Sequence, residues 1–344
     1  MKVFASPGRY VQGPGALEGL GAAVAPYGNR PVVVMDSAAL RPHVLIAAGE
    51  ITYELVDALA AEVTGEAGVV IGVGGGKVLD TAKGIARILG RPVATVPTIA
   101  SNDSPTSSMI AMYNQDHELI SVDRLSANPV VVLVDTELIA AAPSVFLRSG
   151  IGDAISKRFE AAGCSAGTGV TPLGTRPLAI ADAIGKQCYS VLRTYALQAL
   201  IDCEQHRVTD AVERTVEAVV LLSGLAFENG GLSLAHSLTR GLMRVQGARD
   251  ALHGFHVAWG TLVQLAAEGR PDEDILDLMG FLSSVGLPVC AADLGMSEPL
   301  DQPFAEIAHH TMTAPHLLNM PLPVDESLVI AAQLRVEALS RSRG

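Results

Sequence analysis

Residues 69–77 read VVIGVGGGK, an apolar run that passes directly into three glycines and a lysine. A continuous apolar run of this length predicts a buried β-strand, and the residues after the glycines have a helical pattern. Because glycine has no Cβ, Gly74, Gly75 and Gly76 let the backbone approach a phosphate closely, next to the free N–H groups of the helix start. The segment predicts a phosphate-binding turn to which Lys77 adds a charge. The alternative is a strand-to-helix turn without a ligand.

This turn departs from both standard phosphate-binding patterns. Lys77 or Leu79 stands where the third glycine of GxGxxG belongs, and Val78 replaces the Ser or Thr of a P-loop. The acidic residue expected roughly 20 residues downstream for the ribose is absent, but Asp36 ends an earlier strand pattern. A carboxylate there could accept from both ribose hydroxyls and repel a 2′-phosphate, which favours NAD over NADP. A polar strand end without a ligand is the alternative.

Further strand patterns lie on both sides of the turn and alternate with helical patterns. The strand patterns cover residues 31–36, 43–47, 92–97 and 129–135, and the helical patterns cover residues 17–27, 51–63 and 78–89. This alternation predicts a doubly wound parallel sheet. Only about six residues separate the first two strands, whereas a parallel crossover normally needs about a dozen. Either these strands are not adjacent and parallel, or a helix has been lost.

The character of the chain changes near residue 137, where the strand patterns end. Ala- and Leu-rich helical patterns follow at residues 178–200, 208–225, 232–245 and 258–267. A chain of 344 residues is long for a single core. We therefore predict two domains, an α/β dinucleotide-binding domain over residues 1–144 and an all-α domain over residues 145–344.

Composition narrows the classes of partner. Half of the residues (49%) are hydrophobic, which permits a large core, and the formal net charge of −12 argues against a nucleic-acid surface. No apolar run reaches the roughly 18–20 residues that cross a bilayer, and the N-terminus lacks a signal-peptide pattern. The four cysteines contain no CxxC pair, as expected for reduced thiols. We expect a soluble, cytoplasmic protein without nucleic-acid or membrane partners.

A polar loop follows the strand pattern at residues 92–97. Residues 98–108 read TIASNDSPTSS. In open α/β sheets ligands bind beyond the carboxyl ends of the strands, so Thr98, Ser101 and Ser107 are candidate donors to a phosphate or ribose. Asp103 adds a carboxylate near the reacting end of a cofactor. Clusters of this composition are also common in loops that bind nothing.

Histidines in the second half are candidate metal ligands. His236 lies in an apolar helical pattern, and His253 and His256 have the i, i+3 spacing of one helix face. Asp153 follows a glycine at a predicted helix start, where an N-cap is the alternative role. Spacing alone identifies no metal site here, since neither HExxH nor CxxC is present.

Several segments together resemble the glycerol dehydrogenase branch of the iron-containing alcohol dehydrogenase family. They are residues 6–13 (SPGRYVQG), 72–83 (GVGGGKVLDTAK), 96–107, 149–154 (SGIGDA), 253–254 with 260–262, and 319–321 (NMP). The resemblance therefore extends nearly from end to end. It implies the dehydroquinate synthase-like fold of this family, with an N-terminal dinucleotide-binding α/β domain, an all-α C-terminal domain and the active site between them.

The resemblance also implies roles for individual residues. Asp153, His236 and His253 match the metal ligands, with zinc usual in this branch and Fe²⁺ the alternative. Asp103 matches a carboxylate beside the nicotinamide and the substrate. Contacts to NAD are expected at Asp36, Gly74, Gly75, Gly76, Lys77, Asp80, Thr98, Ser101, Ser107 and Tyr113. Helical domains of this type tend to assemble, so a homo-oligomer is expected.

The implied activity is NAD-dependent interconversion of glycerol, or a related vicinal diol, and the hydroxyketone. Two imidazoles and one carboxylate leave coordination positions open, as a catalytic metal requires. The cation would make a bound alcohol lose its proton more easily and would polarise a carbonyl in the reverse direction. A small polyol is therefore the expected partner.

The sequence departs from the glycerol dehydrogenases at two places that bear on the substrate. Thr239 and Arg240 stand where those proteins carry a His-Asn pair, and Arg240 could bind a carboxylate or phosphate, or lie on the surface without a role. His256 stands where a lysine is common and Phe255 where a glutamate is common, and His256 could relay a proton to water.

Three other functions stay open at this point. One is a hydroxycarboxylate dehydrogenase, or an enzyme of another anionic hydroxy-substrate, that uses Arg240. Another is a catalytically weak relative that binds metal and nucleotide. A dehydroquinate synthase is less favoured, because residues 153–262 follow the dehydrogenase pattern.

Overall fold

The computed structural model describes residues 1–35, 44–47, 49–115 and 118–343. The strands within these residues are β1 (Tyr10–Gly13), β2 (Pro31–Met35), β3 (Val44–Ile46), β4 (Val69–Gly74), β5 (Val93–Pro97), β6 (Met109–Tyr113), β7 (Leu119–Arg124) and β8 (Val131–Asp135). Six of them form a parallel sheet in the order β1-β8-β5-β4-β2-β3, while β6 and β7 form an antiparallel hairpin.

Helices connect and follow these strands. The α-helices are α1 (Leu20–Val24), α2 (Tyr53–Ala61), α3 (Gly76–Leu89), α4 (Thr136–Ala141), α5 (Ser144–Ile155), α6 (Lys157–Ala166), α7 (Ala179–Glu204), α8 (Asp210–Val216), α9 (Ser223–Gly230), α10 (Leu234–Ser237), α11 (Thr239–Leu242), α12 (His253–Ala267), α13 (Asp272–Ser284), α14 (Asp301–Thr311) and α15 (Glu326–Arg341). A π-helical segment, Glu217–Leu222, joins α8 to α9.

The sheet is apolar on both faces, as the sequence of β4 predicts. Val69 and Ile71 point to one side and pack with Val96 and Leu133, whereas Val70 points to the other side and packs with Ile85 of α3. Successive strand residues alternate between faces, so an unbroken apolar run fits a strand that is covered on both. The predicted parallel α/β arrangement is therefore confirmed.

The structure excludes one of the two alternatives for the short connection, namely that its strands are not adjacent and parallel. β2 and β3 are adjacent and parallel, with Val33 opposite Val44 in the register. Their connection, residues 36–43, lies outside the described residues, as does Asp36. The sequence did not predict β1 or the β6–β7 hairpin. β1 has only four residues, and its partner β8 lies about 120 residues away in the chain.

Helices make up the regular structure that is described after β8. The helical patterns became α7, the stretch from α8 to α9, and α12, whereas residues 232–245 are divided between α10 and α11. The hydrophobic core cluster of these helices includes Trp259 of α12, which is completely buried. α5 begins at Ser144, next to the predicted boundary, and the division into two domains stays a prediction.

No single helix among the described residues is long and apolar enough to cross a membrane. The stretches Asp210–Gly230 and Leu234–Leu242 meet the length and composition criteria only as a pair, and they are bent by 97° at their break.

Glycines allow α5 and α12 to cross at very close range. A Cβ on Gly254 of α12 would clash with the backbone oxygen of Ser149 in α5, and a Cβ on Gly152 would clash with the backbone oxygen of Gly254. The backbone N–H of Gly254 also donates to the Ser149 hydroxyl, at 3.2 Å. This crossing fixes the distance between Asp153 on α5 and His253 at the start of α12.

Replacing Gly254 by alanine tests this crossing. Because the new methyl group would meet backbone atoms that cannot rotate away, we expect Gly254→Ala to lower the free energy of unfolding by about 1–3 kcal/mol. Urea denaturation measures the change. Gly21→Ala in α1 is the control, since nothing lies within 4 Å of its Cβ position. Equal stability of Gly254→Ala and the wild type would show that the helices can separate at little cost.

Candidate active site

One cleft of about 620 Å³ collects most of the candidate residues. Gly76, Lys77 and Asp103, from the carboxyl ends of the strands, line it together with side chains of the helical part. The charged and imidazole groups on the helical side of the cleft are Asp153, Lys157, His236, Arg240, His253 and His316. The cleft therefore brings the glycine turn and the metal-ligand candidates to one place.

Three side chains converge on one position in this cleft. One ligand atom each of Asp153, His236 and His253 lies within 4.8 Å of the other two. His236 Nε2 is 3.1 Å and His253 Nε2 is 3.9 Å from Asp153 Oδ1. Ligands of a tetrahedral zinc with bonds of about 2.1 Å lie roughly 3.4 Å apart, so this donor set fits a divalent cation. Asp153 lies in the last turn of α5, and Pro143 is the N-cap of that helix, so the N-cap alternative is wrong.

Glu160 orients His236 from behind. Its Oε2 is 2.6 Å from His236 Nδ1, and its Oε1 accepts from the backbone N–H groups of Ser233 (2.8 Å) and His236 (3.1 Å). The Ser156 hydroxyl donates to Oε2 at 2.9 Å, and the carboxylate is completely buried. With the proton on Nδ1, the lone pair of Nε2 faces Asp153. A carboxylate behind a histidine in this way is the usual support of a metal ligand.

Lys157 is, after Glu160, the second residue at this site that the sequence analysis missed. Its Nζ lies 2.6 Å from Asp153 Oδ1, 3.1 Å from His236 Nε2 and 3.3 Å from Asp103 Oδ2. The side chain is 1% exposed. The available signal was its position four residues after Asp153, where two side chains on a helix meet.

The buried charges of the site shift each other's pKa. Burial raises the pKa of Asp103 because the Lys157 ammonium offsets only part of the lost hydration. Burial also acts on Asp153, but Lys157 and His236 outweigh it and hold the Asp153 pKa well below its usual range. Burial of Glu160 is outweighed by His236, which leaves a pKa of about 2. The carboxylates of Asp153 and Glu160 are therefore ionised at neutral pH.

The two histidines differ in their protonation. Burial lowers the pKa of His236, but Glu160 outweighs this effect and the pKa is about 8. The pKa of His253 is lowered to about 4, chiefly because protein surrounds it, although 47% of the side chain is open to the cleft. His253 is thus neutral at neutral pH, the form in which imidazole binds metals.

The glycine turn reaches the cleft through Gly76 and Lys77. Gly74 ends β4, Gly75 is the N-cap of α3, and Gly76 opens that helix. A Cβ on Gly76 would lie 2.8 Å from the Asn102 amide, so the loops are in close contact here. The side chain of Lys77 forms an ion pair with Glu50 and is 60% exposed. The turn has the strand-to-helix geometry that the sequence predicted.

The other predicted cofactor contacts differ in whether they line the cleft. Ser107 and Tyr113 line the cleft, and burial raises the Tyr113 pKa to about 12. Thr98 donates its backbone N–H to Gly74 at 3.1 Å, and the Ser101 backbone oxygen accepts from Ser149. No contact of Asp36 is described.

Asp80 borders the cleft but already has protein partners. Its Oδ1 accepts from Lys83 at 2.9 Å and from the Ser104 hydroxyl at 2.6 Å, and its Oδ2 accepts from the Ala111 backbone N–H at 3.0 Å. These bonds tie α3 to the polar loop and to β6. The arrangement favours a role in holding the loop over direct contact with a cofactor.

Of two residues that depart from the family pattern, Arg240 lines the cleft and His256 is buried outside it. His256 is 2% exposed, and its Nε2 lies 2.7 Å from the backbone oxygen of Ala248, which can only accept. The ring is therefore a buried donor that stabilises the start of α12, and this arrangement contradicts the predicted proton relay to water. Arg240 lines the cleft, and its Nη1 donates to the backbone oxygen of Thr313 at 3.2 Å.

Comparison with known proteins gives the class. The family model for iron-containing alcohol dehydrogenases matches residues 25–143. The chain is 37% identical to the glycerol dehydrogenase of Thermotoga maritima, over 98% of this chain and 97% of that protein. The chain therefore belongs to the iron-containing alcohol dehydrogenase family, and it is an oxidoreductase of the alcohol dehydrogenase type.

Within the family, the similar proteins include several that are named glycerol dehydrogenase and others with different names. The crystal structure of a probable glycerol dehydrogenase from Sinorhizobium meliloti superposes with a TM-score of 0.94 at 34% identity and covers 100% of both chains. Hydroxycarboxylate dehydrogenase A of Escherichia coli is 30% identical over 98% of each chain. The predicted family and fold class are confirmed.

Loss of the carboxylate behind His236 tests the metal position. We expect Glu160→Gln to weaken zinc binding by about 10–100-fold, because the amide no longer fixes the His236 tautomer with a full charge. Zinc titration against a competing chelator measures the affinity. Glu204→Gln is the control, since Glu204 is the last residue of α7 and its side chain is 58% exposed. Unchanged affinity in folded Glu160→Gln would argue against His236 as a ligand.

Proposed function

We propose that the protein is a zinc-dependent, NAD-linked polyol dehydrogenase that interconverts glycerol, or a related vicinal diol, and the hydroxyketone. The observation that carries this proposal is the convergence of Asp153, His236 and His253 in the cleft that also contains the glycine turn. The relatives named glycerol dehydrogenase support the choice of substrate. The cytoplasmic location and the homo-oligomer stay predictions.

Each side of the cleft would bind one part of the reacting complex. The turn at Gly74, Gly75 and Gly76 offers close backbone approach, and the N-terminus of α3 offers free N–H groups to the cofactor pyrophosphate. Asp153 and the two histidines would hold the cation and leave positions for the adjacent oxygens of a diol. When bound, zinc supplies Lewis-acid polarisation of the substrate oxygen and NAD supplies the hydride acceptor.

The surrounding residues position these ligands and the substrate. Glu160 keeps the proton of His236 on Nδ1, so that Nε2 can donate its lone pair. Ser223 donates to Asp103 Oδ2 at 3.0 Å and fixes that carboxylate on the cleft wall. Asp103 would accept a hydrogen bond from a substrate hydroxyl next to the reacting carbon. These contacts hold the reacting groups in place before the hydride moves.

A hydroxycarboxylate dehydrogenase is the second candidate. Arg240 presents a guanidinium to the same cleft, and a guanidinium binds a carboxylate with two parallel hydrogen bonds. The similarity to hydroxycarboxylate dehydrogenase A favours this candidate as well. The two candidates share the cation and cofactor positions and differ in whether the substrate carries a charge.

His236→Ala tests the ligand assignment. We expect turnover to fall by at least about a hundredfold while NADH binding, followed by fluorescence, changes less than twofold, because the glycine turn is untouched. His309→Ala is the matched control, since that ring is 69% exposed. Wild-type turnover by His236→Ala would remove the proposed metal site.

A substrate panel separates the two candidates. With NAD⁺ and zinc we expect turnover of glycerol and 1,2-propanediol but not of lactate or glycerate; the opposite result would select the hydroxycarboxylate function.

Arg240→Ala then tests the anion contact. If Arg240 binds a substrate carboxylate, the KM for that substrate rises about tenfold or more while the KM for glycerol stays within twofold. An unchanged KM for a charged substrate would exclude this contact.

A further inference from the structure

The Lys157 ammonium contacts the same atoms that would bind the metal. Its Nζ is 2.6 Å from Asp153 Oδ1 and 3.1 Å from His236 Nε2, two of the three converging ligand atoms. When Nε2 is unprotonated, it has a single lone pair, which can accept from an ammonium or bind a metal but cannot do both. The lysine and the metal therefore compete for His236.

The distances at the site bring a bound metal ion and the Lys157 ammonium too close together for both to stay in these positions. An ion about 2.1 Å from both Asp153 Oδ1 and His236 Nε2, which are 3.1 Å apart, must lie on a small ring around their midpoint. From any point on that ring, Lys157 Nζ as placed here is within about 4 Å. A divalent and a monovalent cation at this separation, with little water between them, repel each other strongly.

The surroundings of Lys157 leave it few alternatives. The side chain is 1% exposed, and its Nζ lies 5.9 Å from the centre of the Phe227 ring. The nearest other acceptor is Asp103 Oδ2, at 3.3 Å. The ammonium can therefore leave Asp153 by a small shift toward Asp103, which keeps it paired with a carboxylate.

We propose that Lys157 is a built-in competitor of the metal, whose ammonium occupies the cation position until a divalent ion displaces it toward Asp103. This inference rests on the proposed function, because it takes Asp153, His236 and His253 as the metal ligands. It follows that the pocket keeps its shape without metal, and that the chain holds zinc more weakly than the same ligands would without the lysine.

Neutral variants of Lys157 test the competition. We expect Lys157→Met to bind zinc at least about tenfold more tightly than the wild type in a chelator-competition titration of metal-stripped protein. Lys157→Gln, which can still donate to Asp153, should shift the affinity in the same direction, whereas Lys157→Arg should not tighten it. Lys186→Met is the control, since that side chain is 62% exposed and pairs with Asp182 on the surface.

The outcomes separate this inference from the proposed function. Circular dichroism first identifies the variants that fold, and a variant that folds only when zinc is added also supports the competition. Zinc affinity at or below the wild-type value in the folded neutral variants would overturn it. If His236→Ala binds zinc as tightly as the wild type, the ligand set itself is wrong. If His236→Ala loses zinc but the Lys157 variants gain nothing, only the competition is refuted.

Discussion

Three carboxylates surround one buried lysine at the base of the cleft, and this concentration of negative charge determines the arrangement of the site. Asp103, Asp153 and Glu160 are each at least 87% buried, and Lys157 is in hydrogen-bond or ion-pair contact with the first two. A buried charge without a partner is very costly, whereas a paired one is tolerated. Asp103 and Glu160 accept hydrogen bonds from serine, histidine or backbone groups, whereas Asp153 accepts from Lys157 and faces the cation position.

The fold supplies these charges from separate elements that pack at close range. Asp153, His236 and His253 come from α5, α10 and α12, and the glycine crossing of α5 and α12 sets the separation of Asp153 from His253. The π-helical segment helps to hold the loop that carries Asp103. Its Val220 backbone oxygen accepts from the Thr106 hydroxyl, and Ser223, the first residue after the segment, donates to Asp103. Wide helical turns of this kind often occur at functional sites because they leave backbone groups available.

Local patterns predicted the sheet side of the site, whereas tertiary contacts decide the helical side. The apolar run and glycines at residues 69–77 specify a buried strand, a turn and a helix start without reference to distant residues. The metal-ligand candidates are spread over 100 residues, so spacing could not join them, and only the family resemblance did.

Where the sequence predictions failed, the deciding contacts are distant or break a local pattern. The helical pattern at residues 17–27 is interrupted by 3₁₀ turns and Pro26, which removes a backbone donor. The i, i+3 spacing of His253 and His256 suggested a shared role, yet the Ala248 carbonyl holds His256 away from the cleft. Lys157 escaped notice because a lysine in a helical pattern normally reaches solvent. Its burial depends on Asp153, four residues before it, and on Asp103, which comes from the polar loop after β5.

Anomalous X-ray diffraction at the zinc absorption edge, on crystals grown with zinc, tests the central claim most directly. The account predicts one strong peak within about 2.3 Å of an Asp153 carboxylate oxygen and of Nε2 of both His236 and His253. A zinc peak bound by other side chains, or none between these three, would contradict it.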